Sequence, residues 1–239
     1  MKNVLITGAS GDIGAAIARC LADQGDHVIL HAYRNPAHVE SLAATIVAGG
    51  GRADVVVFDV RDRSATHSVL EKLLTRGPVD VLVNNAGIHS DAAFPAMSEE
   101  QWHSVVDVSL GGFFNVTQPL VMPMVRQRRG RIITISSVAG VTGSRGQANY
   151  AAAKGALHAA SKSLALELAS RNITVNVVAP GVIETRMSAG HFDQETLDRL
   201  VPMKRAGKPQ EVAALVAFLA SDAAAYITGQ VISINGGMV

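Results

Sequence analysis

Along the chain, short runs of β-branched and aliphatic residues bounded by turn residues alternate with longer stretches whose apolar positions recur at helical spacing. The short runs predict strands over 3–7, 27–31, 53–59, 79–84, 131–136, 174–179 and 231–235. The longer patterns predict helices over 13–24, 35–48, 64–74, 99–126, 148–171 and 209–220. Ser98-Glu99-Glu100-Gln101 has the form of a capping box at the head of the fourth helix. Strands that alternate with helices and read as nearly unbroken apolar runs belong to a parallel sheet covered on both sides. The prediction is an α/β fold, a doubly wound seven-stranded parallel sheet with helices on both faces. No repeat or linker divides the chain, so one domain over 1–239 is expected. Residues 181–205 are irregular, and connections of that length in compact folds usually serve function.

Composition narrows the partners. With 239 residues at 48% hydrophobic content, the chain fills a full core. A net charge of +1 with interspersed signs provides no basic face for nucleic acid or an anionic membrane. The lone Cys20 excludes an internal disulfide and any cysteine-rich metal site, and reads as a small buried hydrophobe. No metal is expected. Met1-Lys2-Asn3 runs directly into the first strand without a cleavable apolar leader, and no eighteen residues form an unbroken apolar run, so a cytoplasmic protein is expected.

Chemistry enters at the first strand-to-helix turn, Thr7-Gly8-Ala9-Ser10-Gly11-Asp12-Ile13-Gly14. Glycines there let the backbone approach a diphosphate, whose charge the free amides and dipole of the helix start favour. Tyr150 and Lys154 are four apart on a helix and share a face, so the ammonium is placed to lower the phenol's pKa. A phenol so tuned serves as general acid to a carbonyl oxygen. Ser137 ends a strand thirteen positions earlier.

With Asn84-Asn85-Ala86-Gly87 in order between them, these segments resemble the short-chain dehydrogenase/reductase family, which has a Rossmann-type fold. The resemblance runs nearly end to end, through Tyr226-Ile227-Thr228-Gly229-Gln230 and Asn235-Gly236-Gly237-Met238. It implies a nicotinamide cofactor contacted by Gly8, Ser10, Asp12, Ile13 and Gly14, by Asp59 and Val60 at the adenine, and by Asn85, Ala86 and Gly87 at the ribose. It implies as well that Tyr150 and Lys154 meet the cofactor and that Pro180, Gly181, Ile183 and Thr185 clamp the nicotinamide. It further implies Ser137, Tyr150 and Lys154 as the catalytic residues, with Ser109 where relatives carry a relay asparagine. Asp12 replaces a family glycine; it is expected to cap the helix and to turn its carboxylate away from the diphosphate. No carboxylate ends the second strand, and Arg34 there suits a 2′-phosphate, which favours NADP(H); a solvated surface arginine is the alternative.

Within the family the chain is most similar to β-ketoacyl-acyl-carrier-protein reductases, on Gly146-Gln147-Ala148-Asn149-Tyr150, Arg171-Asn172-Ile173-Thr174-Val175-Asn176 and Ala179-Pro180-Gly181-Val182-Ile183-Glu184-Thr185. That branch implies Arg128 and Arg171 as docking points for acyl carrier protein, and a homotetramer in which Ala156, Leu157, Ala160 and Leu164 serve either the interface or the core. The substrate lid is placed over 186–205, with His191, Phe192 and Met203; His191 reads as a solvated loop residue. The activity implied is NADPH-dependent reduction of a 3-oxoacyl thioester, in a specialised fatty-acid, polyketide or aryl-polyene pathway suggested by the departures at Asp12 and Ser109. Two alternatives stand beside it: a dehydrogenase of another alcohol or ketone, and a weakly catalytic cofactor-binding partner subunit.

Overall fold

The computed structural model describes residues 1–186, 188, 190 and 192–239. Strands β1 (Asn3–Ile6), β2 (His27–Ala32), β3 (Arg52–Val57), β4 (Val81–Asn84), β5 (Gly130–Ile135), β6 (Ile173–Pro180) and β7 (Val231–Ile234) make one sheet. Their order is β3-β2-β1-β4-β5-β6-β7, and every pairing is parallel. All six residues of β5 and all eight of β6 are buried, as a sheet covered on both sides requires.

Helices α1 (Asp12–Asp23), α2 (Pro36–Ala48), α3 (Arg63–Leu74), α4 (Glu99–Val106), α5 (Gly112–Gln127), α6 (Ala139–Thr142), α7 (Ala148–Leu168), α8 (Gln194–Leu200) and α9 (Pro209–Ala220) flank it. One apolar core joins Ile17 and Leu21 of α1, Leu42 and Ile46 of α2 and Val212 and Val216 of α9 to one face. A second joins Leu70 and Leu73 of α3, Leu120 and Met124 of α5 and Leu168 of α7 to the other. Cys20 is partly buried against the first core, and burial pushes its thiol up. Pro36 opens α2 where its missing N–H costs nothing, and Asp62 accepts from the Ala65 amide to cap α3. The capping box is present at α4: Gln101 N–H donates to Ser98 Oγ, and Ser98 N–H to Gln101 Oε1.

Two elements depart from the sequence pattern. The helix expected over 99–126 is interrupted by a π-helical turn, Asp107–Gly111, because one extra residue per turn swings Ser109 into the interior. Gly112 follows it; a Cβ there would meet Val60 Cγ2 at 2.9 Å, so the close approach to the segment after β3 favours a glycine. The lid over 186–205 is not all loop: α8 forms within it, capped by Asp193 on the Thr196 amide. The run Glu99–Gln127 is long and apolar enough to cross a membrane by length and composition; here it packs against α3 and α7.

The strand order reverses between β1 and β4. Above the carboxyl ends of the strands at that point, where such sheets bind ligands, lies a cleft of about 680 Å³.

Candidate active site

The glycine turn leaves β1 at Thr7. Gly8 has φ +64°, and a Cβ on it would stand 2.9 Å from the Ala86 Cα. Gly14 is tighter still: its Cβ would meet the Gly8 carbonyl oxygen at 2.6 Å and Asn85 Nδ2 at 2.7 Å. The turn is stitched to the end of β4. Asn85 Nδ2 donates to the Thr7 and Gly8 carbonyls at 2.9 and 3.0 Å, and Thr7 Oγ1 accepts from the Asn85 and Ala86 amides. Asn84 reaches the other way and donates to Thr117 Oγ1 of α5. Gly11 stands at the N-cap of α1 with no side chain to satisfy the first-turn amides, which is the arrangement an incoming diphosphate needs.

Asp12 does not cap that helix. Its carboxylate accepts from the Arg186 amide at 2.6 Å and from Arg186 Nε at 2.9 Å, while Arg186 Nη2 donates to the Ser10 carbonyl at 2.8 Å. A backbone amide and a guanidinium outcompete the helix's own first turn, and the glycine turn is thereby tied to the segment after β6.

Beyond β2, Tyr33 and Arg34 are exposed, with the Arg34 guanidinium 5.6 Å from the Tyr33 ring centre. Asp59 is gripped by Arg61 in a fork with distances of 2.7 to 3.1 Å, and that hydrogen bonding holds its carboxyl below the usual range.

Tyr150 sits in the first turn of α7. Asn149, wholly buried beside it, anchors this end: its Nδ2 donates to the Ser90 and Gln101 carbonyls and its Oδ1 accepts from the Tyr150 amide. Ser137 Oγ accepts from the Ala139 amide at 3.1 Å, which leaves its own proton free to donate. Lys154 Nζ lies 5.5 Å from the Tyr150 ring centre and donates to the Ile135 carbonyl at 2.9 Å. The lysine is 3% exposed, and burial pulls its pKa down to about 8. Gly87 makes the room; a Cβ there would fall 3.2 Å from Nζ. Tyr150 itself is pushed above its ordinary value by burial, hydrogen bonding from Ser137 opposing, and the nearby Asp91 carboxylate adds to the rise. The lowered phenol expected from the Tyr-Lys spacing is thus absent in this state; the tyrosine is held protonated. At the cleft mouth Asp91 accepts from Gln147 Nε2 at 2.8 Å.

Of the residues singled out in the sequence, Gly8, Ser10, Asp12, Ile13, Gly14, Asn85, Gly87, Ser137, Tyr150, Lys154, Pro180, Gly181, Ile183 and Thr185 line this one cleft. Val60, Ala86 and Ser109 instead line a separate cavity of about 10 Å³ beside it, into which the hydroxyls of Ser109 and Thr134 are buried with no hydrogen-bond partner among the described residues. Phe192 borders the large cleft, Met203 a neighbouring one, and His191 lies outside the described residues. Arg128 and Arg171 are exposed at the far end of α7, where Arg128 Nη2 donates to the Ser170 carbonyl. Sequence reasoning missed Asn149 as an anchor, the Asp91–Gln147 pair, and His31, which is 2% exposed and bonded to the glycine turn. Only the polarity of His31 inside an apolar strand could have signalled it.

The chain belongs to the short-chain dehydrogenase/reductase family, whose members use a nicotinamide cofactor. A family model described as enoyl-(acyl carrier protein) reductase matches residues 8–239. The 3-oxoacyl-acyl-carrier-protein reductase FabG of Thermotoga maritima is 46% identical across all of this chain and 98% of its own length. The enzyme of that name from Escherichia coli is 47% identical over 99% of this chain and 97% of its own. Nodulation protein G of a Rhizobium species is 46% identical over 99% and 96%.

Proposed function

We propose that the chain, acting as one catalytic domain, reduces a 3-oxoacyl thioester on acyl carrier protein to the 3-hydroxyacyl product with NADPH. The observation that carries this is the convergence of Ser137, Tyr150 and buried Lys154 on the cleft entered by the glycine turn, together with relatives named for that reaction. The bare amides at the head of α1 and the glycine cradle at Gly8 and Gly14 fit a dinucleotide's diphosphate. When bound, the nicotinamide supplies hydride to the carbonyl carbon. Tyr150 gives its proton to the carbonyl oxygen while the Ser137 hydroxyl hydrogen-bonds the same atom, and the Lys154 ammonium favours the phenolate left behind. Asn85 and Asn149 hold the two halves of this arrangement in place. Exposed Arg34, with Asp59 already neutralised by Arg61, leaves the adenosine end favourable to a 2′-phosphate.

Arg128 and Arg171 would dock an acidic carrier protein. Roughly 30 Å of helix separates them from Tyr150, since α7 and its end run some twenty residues at 1.5 Å each, so the arginines of one subunit would serve the cleft of another. Phe114, Met122 and Leu166, exposed at 50, 54 and 84%, give α5 and α7 apolar faces suited to a homotetramer in the cytoplasm.

The test follows NADPH absorbance with a 3-oxoacyl thioester on carrier protein, beside a 2-enoyl thioester and beside NADH. Turnover of the 3-oxo substrate with NADPH, reduced about 100- to 10,000-fold in Tyr150→Phe, is the expected result. Dinucleotide binding without turnover of the 3-oxo substrate would overturn the substrate assignment.

A further inference from the structure

His31 lies one residue before the end of β2, outside the catalytic cleft, and is 2% exposed. Two of its groups meet consecutive amides of the glycine turn: Nδ1 accepts from the Gly8 N–H at 3.1 Å and the His31 carbonyl accepts from the Ala9 N–H at 2.9 Å. On its other side Nε2 faces the Phe58 carbonyl at 2.9 Å. A carbonyl only accepts, so Nε2 carries the proton and Nδ1 is left bare, which is the tautomer the Gly8 amide requires. The ring also packs on Phe58, centroid to centroid 4.1 Å. Gly8 is the residue whose positive φ turns the chain out of β1 toward α1, so whatever fixes its amide fixes the entry of the whole turn.

We infer that His31 is a positioning residue for the dinucleotide: acting through Gly8, it braces the phosphate turn between β2 and the end of β3 in the form that receives the diphosphate. The inference rests on the reading of that turn as the cofactor's phosphate site. A braced turn does not have to be ordered when the ligand arrives, so its loss appears in affinity rather than in the chemical step.

Three variants separate the bonds. His31→Asn places an acceptor near the Nδ1 position but cannot reach Phe58; His31→Gln reaches toward Phe58 but withdraws the acceptor from Gly8; His31→Leu has neither. NADPH affinity is measured by direct titration of the purified protein, apart from turnover, alongside KM and kcat. His31→Leu and His31→Gln are expected to weaken NADPH binding and raise its KM about tenfold, the weight of one buried hydrogen bond, with kcat at saturation nearly unchanged. His31→Asn is expected to recover most of the affinity. Wild-type affinity in His31→Gln, or His31→Asn binding no better than His31→Gln, overturns the inference even if His31→Leu fails to fold. Wild-type protein that binds neither NADPH nor NADH overturns the reading of the turn itself, and the role of His31 with it; binding without turnover touches only the substrate.

Discussion

His31 and Lys154 are both buried titratable groups, and each sets a pH limit of a different kind. Burial pulls His31 down to about 4 from 6.5, against the backbone bond to Phe58 and the charge of Asp59, itself held by Arg61. The unfolded chain takes up that proton first, so the contribution to stability is complete above pH 6.5 and is lost as pH falls toward 4. The difference amounts to about 3 kcal/mol. Urea midpoints at pH 7 and pH 4.5 should therefore converge in His31→Asn relative to wild type; equal acid sensitivity in the two proteins would count against it. Lys154 limits the alkaline side. With its pKa lowered to about 8 and Tyr150 pushed upward, the first proton lost on raising pH is the lysine's, and kcat/KM in the reductive direction should fall above pH 8 with a single limb. Neither value was legible in the sequence. The Tyr150–Lys154 spacing showed a shared face but not the depth of burial, and His31 read as one more strand position because its partners, Gly8 and Phe58, lie 23 and 27 residues away.

At the scale of elements, close approaches decide tolerance. Gly140 of α6 faces α7 so closely that a Cβ would meet the Gly155 nitrogen and the Lys154 carbonyl carbon, two backbone atoms, each at 2.8 Å. Gly140→Ala should push α6 from α7 and lower thermal stability by about 1–3 kcal/mol, the usual cost of overpacking, while Gly143→Ala, with open space around it, tests φ strain alone. The tie from Asp12 to Arg186 is half-exposed, so a double-mutant cycle in thermal stability should give a coupling below about 1 kcal/mol that shrinks with salt. The elements themselves were largely legible, because β-branched runs such as Ile132-Ile133 and punctuating Gly and Pro carry them locally. What escaped carries no local signal: the π-helical turn at Ser109 has no compositional mark, α6 has only four residues, and Asp12 finds its partner 174 residues on.

For the whole molecule, proposed docking across subunits separates two kinds of substrate. Arg128→Glu with Arg171→Glu should raise KM for a carrier-protein thioester about tenfold or more and leave the coenzyme A thioester unchanged, because rim charges act on encounter with an acidic partner; equal effects on both would assign the arginines another role. The first strand of the chain is an inner strand of the sheet, paired to β2 and to β4, whose first residue is Val81. During synthesis at roughly 5–20 residues per second, β1 therefore waits roughly 4–16 seconds with at least one edge open before its second neighbour leaves the ribosome. In that interval Val4-Leu5-Ile6 is an apolar strand exposing unpaired amides and carbonyls. A chain stalled before residue 84 should be a far stronger substrate for chaperones, and far more prone to aggregate, than one stalled after β5.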